Sequence, residues 1–159
     1  MLNPDIHWVS FHGAYDFGYL IKLINNKDLP DSEDEFMNLI NGFFINYYDI
    51  RVLIKGQNHL HGGLNKVAQQ LEILRKGKIH QAGSDSVVTI DVFFKLIKDN
   101  IINKNILNKY KNILYGLGLG MDNENTINYI SCGQNRKLNS YSNNNLNARY
   151  LNMGLNQGF

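Results

Sequence analysis

His80 and Asp85 lie five positions apart in the run HQAGSDS, with Gly83 and Ser84 between them. A histidine can take a proton from water near neutral pH. A carboxylate can hold a hard divalent cation through oxygen. Joined by a short glycine-containing turn, the two could meet at one metal-bound water, an arrangement suited to hydrolysis. Asp16 stands in a similar context, after the turn HGAYD and at the start of a helical pattern. Each acid also has a purely structural explanation. A helix dipole stabilises a carboxylate in the first turn by roughly 0.3–1 kcal/mol. His80 alone reads as an ordinary polar side chain beside a turn. His59 and His61, which flank Leu60 in NHLHGG, read as loop residues. The spacing is not HExxH, and no Cys/His cluster suggests zinc.

The elements that must position these residues follow from apolar spacing. IHWVSF, residues 6–11, is short, aromatic and β-branched, and predicts a buried strand. From Asp16, the positions of Phe17, Leu20, Ile21 and Ile24 make one helix face. Ser32 and Glu35 have the spacing of a capping box, followed by the stripe Phe36, Leu39, Ile40, Phe43 and Phe44. DIRVLIK alternates Ile50, Val52 and Ile54 and predicts a second strand. GGL opens a third helix with Leu64, Val67, Ala68 and Leu71 on one face. Ser84 is the expected N-cap of a fourth, whose stripe is Val87, Ile90, Phe94 and Ile97. Ile106, Tyr110 and Ile113 suggest a further helix before YGLGLG. Strands alternating with helices predict an α/β domain with parallel strands. Two strands are few for four or five helices, which points to part of a sheet lying outside these residues.

The chain has 159 residues, 43% of them hydrophobic, enough for one domain with a core. Its net charge of +2 neither demands nor excludes a nucleic-acid partner. The single cysteine, Cys132, permits no internal disulfide and fits a reducing compartment. No apolar run reaches the roughly 18 residues of a membrane helix, so no membrane association is expected. From Asp122 onward asparagine dominates and apolar periodicity fades. Residues 122–159 are therefore expected to be a disordered tail. Lys55, Lys66, Arg75, Lys76 and Lys78 are candidate phosphate contacts, each equally readable as a solvated surface charge.

WVSFHGAYDFGYLIKLI, GGLNKVAQQL and HQAGSDSVVTIDVFFKL together resemble the Caf/Pop-type deadenylases, DEDD-class ribonuclease subunits of the Ccr–Not complex. The resemblance runs in order from about Trp8 to Gly120. It implies an RNase H-like exonuclease fold, a mixed sheet flanked by helices, with residues 1–121 forming the C-terminal part of the domain. It implies 3′-to-5′ shortening of poly(A), using two divalent cations, Mg2+ or Mn2+, held by four acids. Asp16 and Asp85 match two of those metal ligands, and His80 matches the histidine that positions or deprotonates the attacking water. Poly(A) RNA and the other Ccr–Not subunits, a scaffold and a second nuclease, are the implied partners, in cytoplasm and nucleus. Two departures stand out. The family's Asp-x-Glu motif and first sheet strands precede the counterpart of WVSF, where this chain offers only Asp5. HGAYD replaces the family's His-Ser-Gly-Tyr-Asp with residues that remain small. Without Asp-x-Glu, the chain alone is expected to have little nuclease activity. Two other readings stay open. One is an inactive fragment or scaffold that retains partner-binding helices. The other is a DEDDh exonuclease acting on other RNA or on DNA.

Overall fold

The computed structural model describes residues 3–117. The expected tail, 122–159, lies outside them. Strand β1 (Trp8–Ser10) is followed by helices α1 (Ala14–Asn25) and α2 (Glu33–Phe43), then strand β2 (Tyr47–Asp49). The two strands are parallel, with Trp8 opposite Tyr47, Val9 opposite Tyr48 and Ser10 opposite Asp49. A parallel pair needs a crossover, and α1 with α2 provides it. Helices α3 (Ile50–Leu53), α4 (Leu64–Gln70), α5 (Ala82–Lys98) and α6 (Lys104–Tyr110) complete the order.

Successive strand residues face opposite sides of a sheet, and here they enter two different cores. Trp8 and Tyr47 pack with Phe17, Ile21, Phe36, Ile40 and Phe44 from the α1–α2 side. Val9 and Tyr48 pack with Val67, Val88, Val92 and Leu96 from α4 and α5. The small sheet is thus covered on both faces. Among the described residues, β1 pairs only with β2, so its other edge presents unpaired backbone groups.

The crossover follows the predicted signals. α1 ends at Asn26, which takes the left-handed conformation (φ 49°) and donates its N–H to the Lys22 carbonyl. The Ser32 side chain accepts the Glu35 N–H at 3.2 Å, the expected N-cap of α2.

Three expectations are corrected. DIRVLIK is not a strand: β2 ends at Asp49, and Ile50–Leu53 form a helical turn capped by Asp49, whose carboxylate accepts the Arg51 N–H. The alternation misled because Ile50, Val52, Leu53 and Ile54 are all buried. A fully buried run carries no period that separates strand from helix. Ser84 is not the N-cap of α5. That position falls to Gln81, and Ser84 sits inside the first turn. The face of α5 is also rotated. Val88, Thr89, Val92, Phe93 and Leu96 are buried, whereas Val87, Ile90, Phe94 and Ile97 are exposed, Phe94 by 60%. Both sets have helical spacing, so periodicity identifies the helix without choosing which of two apolar faces turns inward.

Candidate active site

After β1 the chain turns through Phe11, His12 and Gly13 into α1. His12 has φ 63°, a left-handed conformation that few non-glycine residues adopt. A fully buried carboxylate, Asp49, holds this turn. Its Oδ1 accepts the N–H groups of His12 at 2.8 Å and Arg51 at 3.0 Å. Its Oδ2 accepts those of Gly13 at 3.0 Å and Tyr115 at 3.1 Å. One charge therefore joins the start of α1, the start of α3 and the segment after α6. In sequence, Asp49 stands as the first residue of the expected strand DIRVLIK. The available signal was an acid immediately before a buried apolar run, the N-cap position of a short helix.

Gly13 is fixed by space. A Cβ there would collide with Ser10 Oγ and Ser10 Cβ. Gly13→Ala should therefore destabilise by about 1–3 kcal/mol through overpacking. Thermal unfolding would read this as a drop of several degrees. An unchanged melting temperature would mean that the turn relaxes around the methyl group.

Asp16 follows in the first turn of α1, on its solvent side. Desolvation by the surrounding protein holds its carboxyl above the ordinary value. The backbone hydrogen bond in its own turn opposes this, the Asp49 charge adds to it, and His12 opposes it. A folded-state pKa above the unfolded one means that the native state binds more protons between the two values. Stability then falls as pH rises through that window. Asp16→Asn is accordingly expected to melt no lower than the parent at pH 7, and to flatten the fall in melting temperature as pH rises through that window. A lower melting point at pH 7 would show that the carboxylate stabilises the turn.

The second acid is built in a similar way. His80 is exposed with φ 63°, the same left-handed value as His12, and again precedes a helix with an acid in its first turn. Asp85 Oδ1 receives Arg75 Nη2 at 2.6 Å. Arg75 Nη1 reaches Ser84 Oγ at 2.8 Å and the Lys78 carbonyl at 3.2 Å, and Ser84 Oγ donates to the Lys76 carbonyl at 2.8 Å. Of the candidate phosphate contacts, Arg75 is thus committed within the protein. Lys66, Lys76 and Lys78 are exposed. Lys55 lines a cavity of about 360 Å3 with Arg51, His61 and Tyr115. His59 and His61 lie in an exposed loop, as expected.

Asp85 is therefore tied to Arg75, with His80 exposed just before its helix, while Asp16 takes its surroundings from His12 and Asp49. The carboxylates are hard oxygen donors of the kind that Mg2+ and Mn2+ prefer. Their number is smaller than a complete site needs: among the described residues, no three His, Cys, Asp or Glu side chains gather around one point.

No protein-family model matches the chain. It is 47% identical over 119 residues to the probable CCR4-associated factor 1 homolog 7 of Arabidopsis thaliana, covering 75% of this chain and 42% of that protein. It is 36% identical over 118 residues to the poly(A) ribonuclease pop2 of Schizosaccharomyces pombe, covering 74% of this chain and 35% of that one. Among solved structures, S. pombe Pop2p in its Mg2+- and Mn2+-bound form superposes with a TM-score of 0.64 at 34% identity, over 73% of this chain and 46% of the other. The RNase domain of the yeast Pop2 protein shares the fold, with a TM-score of 0.62 at 24% identity, over 74% and 46% of the two chains. The fold is thus RNase H-like α/β, and the chain spans less than half the length of these relatives.

Proposed function

Because this chain is a homologue of the CCR4-associated factor 1 and Pop2 proteins over three quarters of its length, we propose that it supplies part of the active site of a 3′-to-5′ poly(A)-specific exoribonuclease. The observation that carries this reading is the pair of turn-then-helix acids, Asp16 and Asp85, within a fold whose relative is known in a Mg2+- and Mn2+-bound form. Asp16 and Asp85 would each contribute carboxylate oxygen to divalent cations. When bound, the cations supply charge that activates water and stabilises the departing oxygen. His80, exposed five residues before Asp85, would accept the proton of the attacking water. Arg75 and the closed turn orient Asp85, and Asp49 orients the helix that bears Asp16.

The substrate on this reading is the poly(A) tail of mRNA, and the partners are the scaffold and second nuclease of the Ccr–Not complex, in cytoplasm and nucleus. A relative named CAF1 co-crystallised with a NOT1 MIF4G domain supports such an assembly. A second reading, a catalytically inactive scaffold, draws support from the absence of a three-donor cluster among the described residues. The deciding assay grafts the 118 matched residues into the equivalent segment of the S. pombe pop2 ribonuclease and measures shortening of oligoadenylate with Mg2+ or Mn2+. Metal-dependent shortening from the 3′ end supports the enzyme. A folded, inert chimaera supports the scaffold. Equal shortening of other homopolymers would point to a broader exonuclease.

A further inference from the structure

The segment that follows α3 and the segment that follows α6 enclose a cavity of about 360 Å3, a size at the lower end of ligand sites. Arg51, Lys55 and His61 line it, with the carboxamides of Gln57 and Asn58 and the ring of Tyr115. Among the described residues that line it, none is acidic. Cationic and amide donors without a carboxylate suit an anion. Arg51 is moored rather than free to swing. Its Nη1 donates to the Gly62 carbonyl at 3.0 Å, and its guanidinium lies 4.8 Å from the Tyr115 ring and 6.0 Å from the Phe11 ring. A guanidinium carries five N–H donors in a fork that matches phosphate, so one bond to Gly62 does not exhaust it. Mooring also reduces the ordering that a ligand must impose.

The cavity shares a frame with the turn that leads to Asp16. Asp49 accepts the backbone N–H groups of Arg51 and Tyr115, two of the cavity walls, and those of His12 and Gly13. The Tyr115 and His12 rings meet with centroids 4.9 Å apart, and His12 and Tyr15 with centroids 6.3 Å apart. Tyr15 is 47% exposed and directly precedes Asp16. We infer that the cavity is a phosphate subsite for single-stranded RNA, in which Arg51 and Lys55 take a backbone phosphate while Tyr15 offers its ring to a nearby base. Cationic grooves combined with exposed aromatic rings hold single strands without reading their sequence. That the occupant is RNA rests on the ribonuclease reading. That it is an anion rests on the lining alone.

The test follows the fluorescence anisotropy of a short labelled oligoadenylate in EDTA, so that no metal enters the readout. It uses the full chain and its Lys55→Gln, Arg51→Gln and Tyr15→Ala variants. Lys27→Gln, beyond the other end of α1, controls for loss of charge, and circular dichroism reports the fold. Lys55→Gln and Arg51→Gln are expected to weaken binding by about tenfold or more. Each should also flatten the salt dependence by about 0.7 in slope, the share of one phosphate contact on a single strand. Tyr15→Ala should weaken binding by about fivefold or more and leave the slope unchanged, as lost stacking does. Lys27→Gln should change neither. Unchanged affinity and slope in Lys55→Gln, or a loss no larger than that of Lys27→Gln, would overturn the subsite even if Arg51→Gln failed to fold. Displacement of the strand by inorganic phosphate at the same phosphate concentration would make this a free-anion site and overturn the assignment to RNA. A parent chain that does not bind the strand would overturn it as well. The ribonuclease reading is judged apart, by shortening in the chimaera. An active chimaera whose KM is unmoved by Lys55→Gln would keep that reading and remove this one. An inert chimaera, with strand binding by the full chain that Lys55→Gln weakens, would do the reverse.

Discussion

Asp49→Asn is expected to lower the melting temperature by roughly 10–20 °C, or to abolish cooperative unfolding. The carboxylate accepts four backbone N–H groups, two on each oxygen, and is fully buried. An asparagine offers one acceptor oxygen, and its NH2 would face two N–H donors. Leaving a buried donor without an acceptor costs about 1–3 kcal/mol, more where the lost partner is charged. Two such losses amount to a large part of a domain's usual 5–15 kcal/mol. Asp49→Ala should be at least as damaging, because all four donors lose their acceptor. Circular dichroism melts of the two variants would check this. A drop of only two or three degrees would mean that the turn at His12 and Gly13 holds itself.

The second large effect concerns chemistry. In the ribonuclease chimaera described above, Asp85→Asn is expected to reduce metal-dependent poly(A) shortening by about 10²-fold or more. Loss of a metal-held transition state is worth several kcal/mol, and each 1.4 kcal/mol is a factor of ten. The fold should survive, since the asparagine oxygen can still accept Arg75 Nη2 and the residue lies in the partly exposed first turn of α5. A melting temperature within a few degrees of the parent, measured on the same preparation, separates lost chemistry from lost structure. His80→Ala should fall by a similar factor if the imidazole takes the proton of the attacking water. Activity retained in Asp85→Asn would remove that acid from the metal site.

How far the sequence revealed these features depended on whether the relevant signal was local. The crossover helices were legible because their caps and apolar stripes are written in adjacent residues: Ser32 with Glu35, and Phe36 with Ile40. The helix bearing Asp85 was legible as a helix, but not its orientation, because Val87, Ile90, Phe94 and Ile97 are as apolar as the face that is buried. Only contact with Tyr48 and the α4 helix decides between them. The second strand starts two residues before the expected one and ends at Asp49 for a related reason. Tyr47 and Tyr48 face opposite cores, and the run after Asp49 is buried on every side. Asp16, His80 and Asp85 could be singled out by residue type and spacing. The bonding roles of Asp49 and Arg75 could not be read there, since the partners of Asp49 lie 36, 37 and 66 residues away as well as two. The interactions of Arg75 appear only once the turn has closed.

The central claim is that Asp16 and Asp85 present oxygen to divalent cations in one site. Crystals of the chimaera soaked in Mn2+ and measured at the manganese absorption edge would test it most directly. Anomalous peaks are expected about 2.1–2.3 Å from an Asp16 oxygen and from an Asp85 oxygen, within ~4 Å of one another if two ions are held. Peaks that touch neither acid, or carboxylates more than about 10 Å apart, would contradict it.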